Sequence, residues 1–125
     1  MKKALTLLLI SLTLFSNAQS GWNMNLLGTY DYATAQGNDI WGWVDPVTGD
    51  PYALLGLDTG TAFIRITDPE NPLIIGYLPT HSSASLWRDI KTYQNHAFIV
   101  SEAGGHGMQV FDLNQLRNYD GNTPV

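Results

Sequence analysis

The sequence contains no cysteine, so a disulfide framework, a thiolate metal centre and a cysteine nucleophile are all excluded. Charge is sparse as well: Asp, Glu, Lys and Arg make up 14% of the residues, against about 25% in ordinary domains. Basic residues are the scarcest, and two of the six, Lys2 and Lys3, sit at the extreme N-terminus. Without those two, four basic residues face eleven acidic ones, a net charge of −7. That balance repels phosphate backbones and anionic lipid, which excludes nucleic acid as a partner. A long hydrophobic run is missing too. The apolar stretch 4–15 has twelve residues, interrupted by Thr6, Ser11 and Thr13. As a helix it covers about 18 Å, well short of a hydrocarbon core of about 30 Å. No membrane span is expected in this chain.

The same stretch has the three parts of a secretory leader, in order. Met1-Lys2-Lys3 is the positive n-region, 4–15 the apolar centre, and Ser16-Asn17-Ala18 places small residues before a cut at Gln19. Residues 1–18 are therefore read as a cleavable signal peptide, and the mature chain as secreted or displayed at the cell surface. With no cysteine after the small residues, lipid attachment at this end is excluded. An exported domain without disulfides must be held by its core, which favours a repeat architecture over a small stapled one.

Glycine, aromatic and β-branched residues dominate the remainder, with few helix formers, and an all-β fold follows. A repeat is visible. Tyr52-Ala53-Leu54-Leu55 is answered 44 residues later by His96-Ala97-Phe98-Ile99, and Ile64-Arg65-Ile66-Thr67-Asp68 by Met108-Gln109-Val110-Phe111-Asp112. Asp39-Ile40 and Asp89-Ile90, each leading to an aromatic (Trp43 or Tyr93), lie 50 apart, so the first unit carries six extra residues, placed in the turn Asp45 to Asp50. Within it, strands are expected over 40–44, 52–57, 62–67 and 73–78, separated by Gly, Asp and Pro turn chemistry. Four strands in about 44 residues is the size of one β-propeller blade. Ala53-Leu54-Leu55 reads as buried on both faces, and Ile64/Ile66 against Arg65/Thr67 as half-exposed. Leu26-Leu27-Gly28-Thr29-Tyr30 echoes Ile74-Ile75-Gly76-Tyr77.

The expected organisation is a lone strand over about 26–32, a blade over about 39–79 and a partial blade over about 89–125. Propellers close with about four blades or more, so the chain is expected to be the N-terminal fragment of a longer protein.

Two linked blocks resemble the choice-of-anchor B family, whose members carry LVIVD-type repeats. The first runs Asn38-Asp39-Ile40-Trp41-Gly42-Trp43-Val44-Asp45, Tyr52 to Gly56, and Gly60 to Pro69. The second runs Ser85 to Lys91, His96 to Ala103, and Gly105 to Leu113. The similarity covers nearly all of 25–118. It implies an exported β-propeller anchored to the surface through a C-terminal region absent from this chain, with no enzymatic activity generally established. The later repeats are absent as well.

Polar and aromatic groups gather most densely between His81 and His106. Three histidines with Asp89 and Glu102 raise a metal site, since imidazole and carboxylate are suitable ligands. Their spacing is not that of a ligand set, because Ala103-Gly104-Gly105 makes a turn between Glu102 and His106. Asp39 and Asp89, at equivalent repeat positions, either line a binding surface or accept backbone N–H groups at each blade entry. Repetition favours the second role; Asp68 and Asp112 likewise read as turn formers. Trp43 is expected in the core, while Trp41 and Trp87 remain open as aromatic platforms for a sugar or a protein. Ser82-Ser83-Ala84-Ser85 lacks a nucleophile elbow, Gly104 to Gly107 lacks the helix and lysine of a phosphate loop, and Asp45 to Asp50 lacks the oxygen density of a calcium loop.

Trp41, Trp87, Arg88, Asp89, Glu102 and His106 are thus the candidate binding residues, with no catalytic residue, metal or cofactor assigned. The expected function is a non-catalytic binding module for a protein or glycan. The competing class is a secreted hydrolase, metal-assisted in one version, gathering carboxylates such as Asp39, Asp89 and Glu102 from several blades.

Overall fold

The computed structural model describes residues 23–32 and 34–125; the expected signal peptide, 1–18, lies outside the described residues. The fold is all-β and consists of two antiparallel sheets. The first contains β1 (Gly37–Val44), β2 (Pro51–Leu57), β3 (Gly60–Arg65) and β4 (Leu73–Pro79), hydrogen-bonded in chain order. The second contains β5 (Arg88–Tyr93), β6 (His96–Ser101) and β7 (Met108–Asp112), also in chain order. After β7 the chain forms a 3₁₀ turn, Leu113–Asn118, capped by the Asp112 carboxylate.

Side-chain alternation decides how the sheets meet. Tyr52 and Leu54 of β2 and Phe63 of β3 point to one face, where Ile90, Ala97 and Ile99 of the second sheet pack on them. Leu113 and Leu116 of the 3₁₀ turn close this core, and Phe63 stacks on Phe111 with ring centroids 4.5 Å apart. Each fully buried side chain of this size contributes about 1.5–3 kcal/mol, so this layer is the main source of stability. The opposite face of the first sheet holds a smaller cluster, Leu57, Ala62 and Ile64, partly covered by Tyr32 and Ala35. β2 is thus fully buried on one face and half-covered on the other.

Turn chemistry fixes the hairpins. Gln94 and Asn95 both have positive φ, the pair of left-handed residues a two-residue hairpin needs. Gly60 is required by close approach: a Cβ there would collide with the Leu78 carbonyl oxygen.

Three expectations are corrected. β3 spans Gly60–Arg65 rather than 62–67, and its buried residues from Gly60 to Ile64 serve both faces, so it is no half-exposed strand. Residues 26–32 form no strand. They run against the turn at Pro69-Glu70, where Gly28 lies so close that a Cβ would sit 2.5 Å from the Pro69 oxygen. A turn offers no regular ladder for a strand to join. Finally, Ile64 is not the counterpart of Met108. Ala53 pairs with Ile64 and Ala97 with Phe111, so the true counterpart is Phe111. The loop between β6 and β7 is longer than the turn between β2 and β3, and it shifts β7 accordingly.

Candidate functional site

The first strands of the two sheets lie side by side, and Asn38 and Asp39 join them. Asn38 Oδ1 accepts the Arg88 N–H at 2.9 Å, and Asp39 Oδ2 accepts the Ile90 N–H at 2.8 Å. Asp39 therefore does what a repeated blade-entry aspartate was expected to do. Asp89 is held below the usual carboxylate range by its hydrogen bond and ion pair with Lys91 (2.6 Å). Further along, Trp41 Nε1 donates to Thr92 Oγ1 at 3.1 Å, and the Lys91 ammonium sits 4.2 Å from the Trp41 ring centroid. Trp43 Nε1 donates to Asn95 Oδ1 at 3.3 Å, and the Trp43 ring is buried as expected.

Next to this junction lies a shallow open depression of about 200 Å³ lined by Asn38, Trp87, Arg88, Asp89, Ser101 and Glu102, with Val100 at its wall. Trp87 is 62% exposed. Glu102 accepts a hydrogen bond from the Ser85 hydroxyl at 3.1 Å, which leaves its other oxygen to solvent. Ser85 Oγ also accepts the Trp87 N–H at 3.2 Å, fixing the loop that presents the indole.

Arg88 and His106 behave differently from the other candidates. Both are buried. Arg88 Nε donates to the Leu57 carbonyl (2.9 Å), Nη2 to Thr80 Oγ1 (3.0 Å), and Nη1 lies 3.0 Å from His106 Nε2. His106 Nδ1 is 3.0 Å from the Gly107 carbonyl. This places the imidazole proton on Nδ1 and leaves Nε2 to accept from the guanidinium. Gln109 approaches the same Nε2 with its Oε1 at 3.1 Å and donates its amide to Pro79. Among the described residues no carboxylate pairs with Arg88, and burial lowers its pKa from the ordinary value. The guanidinium is thus an internal tie between the sheets, bonded to a carbonyl, a hydroxyl and an imidazole.

The six candidates therefore divide. Trp87, Asp89 and Glu102 share the depression with the stem of Arg88, while Trp41 lies along the junction and His106 beneath it. His81 is exposed, and His96 Nδ1 bonds the Gln94 carbonyl, so the three histidines occupy separate surroundings. Among the described residues no three His, Asp or Glu side chains are grouped to hold a metal. No helix among them is long and apolar enough to cross a membrane.

One interaction had no signal in the sequence. Asp45, fully buried in the β1–β2 turn, takes a two-pronged ion pair from Arg117, with both contacts at 2.6 Å. The Arg117 bond, helped by the Val47 N–H, holds the Asp45 carboxyl well below the usual range. The six-residue insertion is thereby fastened to the turn that follows β7. The partners are 72 residues apart, so nothing local announces them.

The chain matches no protein-family model, no curated protein and no solved structure.

Proposed function

We propose that this chain forms part of an exported or cell-surface β-propeller repeat protein, a non-catalytic module that binds a protein or glycan at the Trp87 depression. The observation that carries the reading is the pairing of an exposed indole with amide, hydroxyl and carboxylate groups in one open depression, mounted on a packed double sheet. An indole face stacks on sugar C–H groups, and Asn38, Asp89, Ser101 and Glu102 supply acceptors and donors for hydroxyls. The shallow, acidic surface suits a neutral glycan better than an anionic one. The resemblance to the choice-of-anchor B family and the leader at 1–18 support export. Asp39 is occupied by the Ile90 N–H and Asp89 by Lys91, an arrangement that serves sheet docking better than acid–base hydrolysis.

Screening the purified chain on a glycan array, followed by titration of each hit, tests the binding reading. Trp87→Ala is expected to weaken a hit at least tenfold without moving the unfolding midpoint. Retention of no glycan, or hits indifferent to Trp87→Ala, removes the glycan version. Turnover of a bound glycan instead supports the hydrolase class. Mass spectrometry of the exported chain is expected to find Gln19 at the N-terminus, and an intact Met1 start contradicts the leader.

A further inference from the structure

A polar knot closes one end of the joint between the two sheets. Arg88 enters it from β5, His106 from the loop between β6 and β7, and Gln109 from β7. From the other side come the Leu57 and Pro79 carbonyls of the first sheet and the Thr80 hydroxyl that follows it. Arg88 and His106 are each 3% exposed, so water does little to screen one from the other. His106 has one nitrogen between two groups of opposite demand. Nε2 lies 3.0 Å from Arg88 Nη1, which can only donate, and 3.1 Å from Gln109 Oε1, which can only accept. The Gln109 amide cannot turn over to relieve the second contact, because its nitrogen is committed to the Pro79 carbonyl at 2.9 Å.

The two protonation states of the ring satisfy different partners. Neutral imidazole with its proton on Nδ1 accepts from Arg88 and leaves Gln109 Oε1 facing a lone pair. Imidazolium donates to Gln109 and leaves the Arg88 Nη1–H without an acceptor. One hydrogen bond is exchanged for one, so charge decides the difference. A protonated ring would stand 3.0 Å from a guanidinium that burial already disfavours. Among the described residues no carboxylate pairs with either group. Asp58 of the β2–β3 turn and Tyr77 of β4 act on Arg88 only through space, and their own bonds go to the Gln36 N–H and Thr59. Glu102 is turned to Ser85, Asp89 is paired with Lys91, and His81 is exposed.

We propose that His106 is a proton-operated latch on the joint between the two sheets. Protonation of Nε2 exchanges the bond from Arg88 for one to Gln109, and it loosens the seat of a guanidinium whose other donors hold Leu57 and Thr80. The unfolded chain takes up the same proton with no guanidinium opposite it, so acid favours opening. The latch is shut above the ordinary imidazole value of about 6.5 and loosens as pH falls below it. Trp87 adjoins Arg88, and Glu102 begins the loop that His106 anchors, so the latch carries both walls of the depression. The inference rests on these buried ties and not on the ligand reading above.

The test compares the purified chain with His106→Gln, whose amide oxygen can still accept from Arg88 but cannot titrate. Urea unfolding is followed at about pH 7.5 and about pH 5, either side of the ordinary imidazole value. On acidification the folded-to-unfolded ratio of the unmodified chain is expected to fall about fivefold or more beyond that of the variant. The other titrating groups are common to both chains and cancel. Nitrogen-15 NMR of the unmodified chain reads the latch directly and decides the matter even if His106→Gln does not fold. At about pH 7.5 the ring is expected to carry its proton on Nδ1 alone. At about pH 5 it is expected to carry both, with faster exchange of the Arg88 side-chain N–H groups. Equal acid losses in the two chains overturn the proposal. So does an Nε2 already protonated at about pH 7.5, a ring still neutral at about pH 5, or a protonated ring that leaves Arg88 unchanged.

Discussion

The two sheets place equivalent residues in opposite environments. Trp43 is 9% exposed and packs on Tyr52, while its counterpart Tyr93 is 67% exposed. Ile90 is fully buried, while its counterpart Ile40 lies largely in water. Local sequence and strand register are shared, so neither accounts for the difference. Burial here is set by which face has a neighbouring sheet. The hydrophobic pattern of each unit is written for two neighbours, and among the described residues each sheet packs against one other sheet.

Replacing equivalent residues puts that comparison under the largest strain. Phe63→Ala removes a ring buried between the sheets and is expected to cost about 3–5 kcal/mol. Val110→Ala, at the equivalent exposed position, is expected to stay within about 0.5 kcal/mol. Urea unfolding of dilute protein measures both, and similar costs for the two would break the comparison.

A smaller effect is expected at the clamp. Asp39→Ala leaves the Ile90 N–H without its partner between the sheets, at a cost of about 1–3 kcal/mol. Asp89→Ala is expected to leave the unfolding midpoint unchanged, since that carboxylate holds only the exposed Lys91. Equal losses at the two aspartates would mean that they are not the filled and unfilled forms of one contact.

The smallest effect is expected at the ion pair between Asp45 and Arg117, because the Arg117 side chain is 31% exposed and water screens it. The folded-state pKa of Asp45 is depressed, so its contribution is present above the unfolded carboxylate value of about 3.9. It is lost as pH falls through the folded value. Asp45→Asn is therefore expected to lower the unfolding midpoint at neutral pH, with the gap to the unmodified chain narrowing below about pH 4. A gap that is constant with pH contradicts the assignment. The hairpin turn of the second sheet, Gln94-Asn95, carries no such pair, which makes it the natural control.

Much of the first sheet was legible because its strands are bounded by strong turn residues. Pro46 and Gly49, Asp58 to Gly60, and Asp68 to Pro72 mark three boundaries that the structure keeps to within two or three residues. The 50-residue spacing also survives as structural equivalence at Ile40 and Ile90, the residues that follow Asp39 and Asp89. The match of Ile64 to Met108 does not, because apolar alternation tolerates a slip that only hydrogen-bond register resolves. In the candidate site, the exposure of Trp87 and Glu102 accords with their loop positions. The inward turn of Arg88 was not readable. Its partners, the Leu57 carbonyl, Thr80 and His106, come from three separate segments and are united only by the docking of the sheets.

Docking of the two sheets is most directly tested at the amide of Ile90. Its hydrogen goes to Asp39 of the neighbouring sheet and not to a strand of its own. Residue-resolved hydrogen exchange is expected to find it protected in the unmodified chain and fast in Asp39→Ala, with the β6 amides of Ala97 and Ile99 still slow. An Ile90 amide that already exchanges as fast as an open strand edge in the unmodified chain would contradict the packing of the two sheets described above.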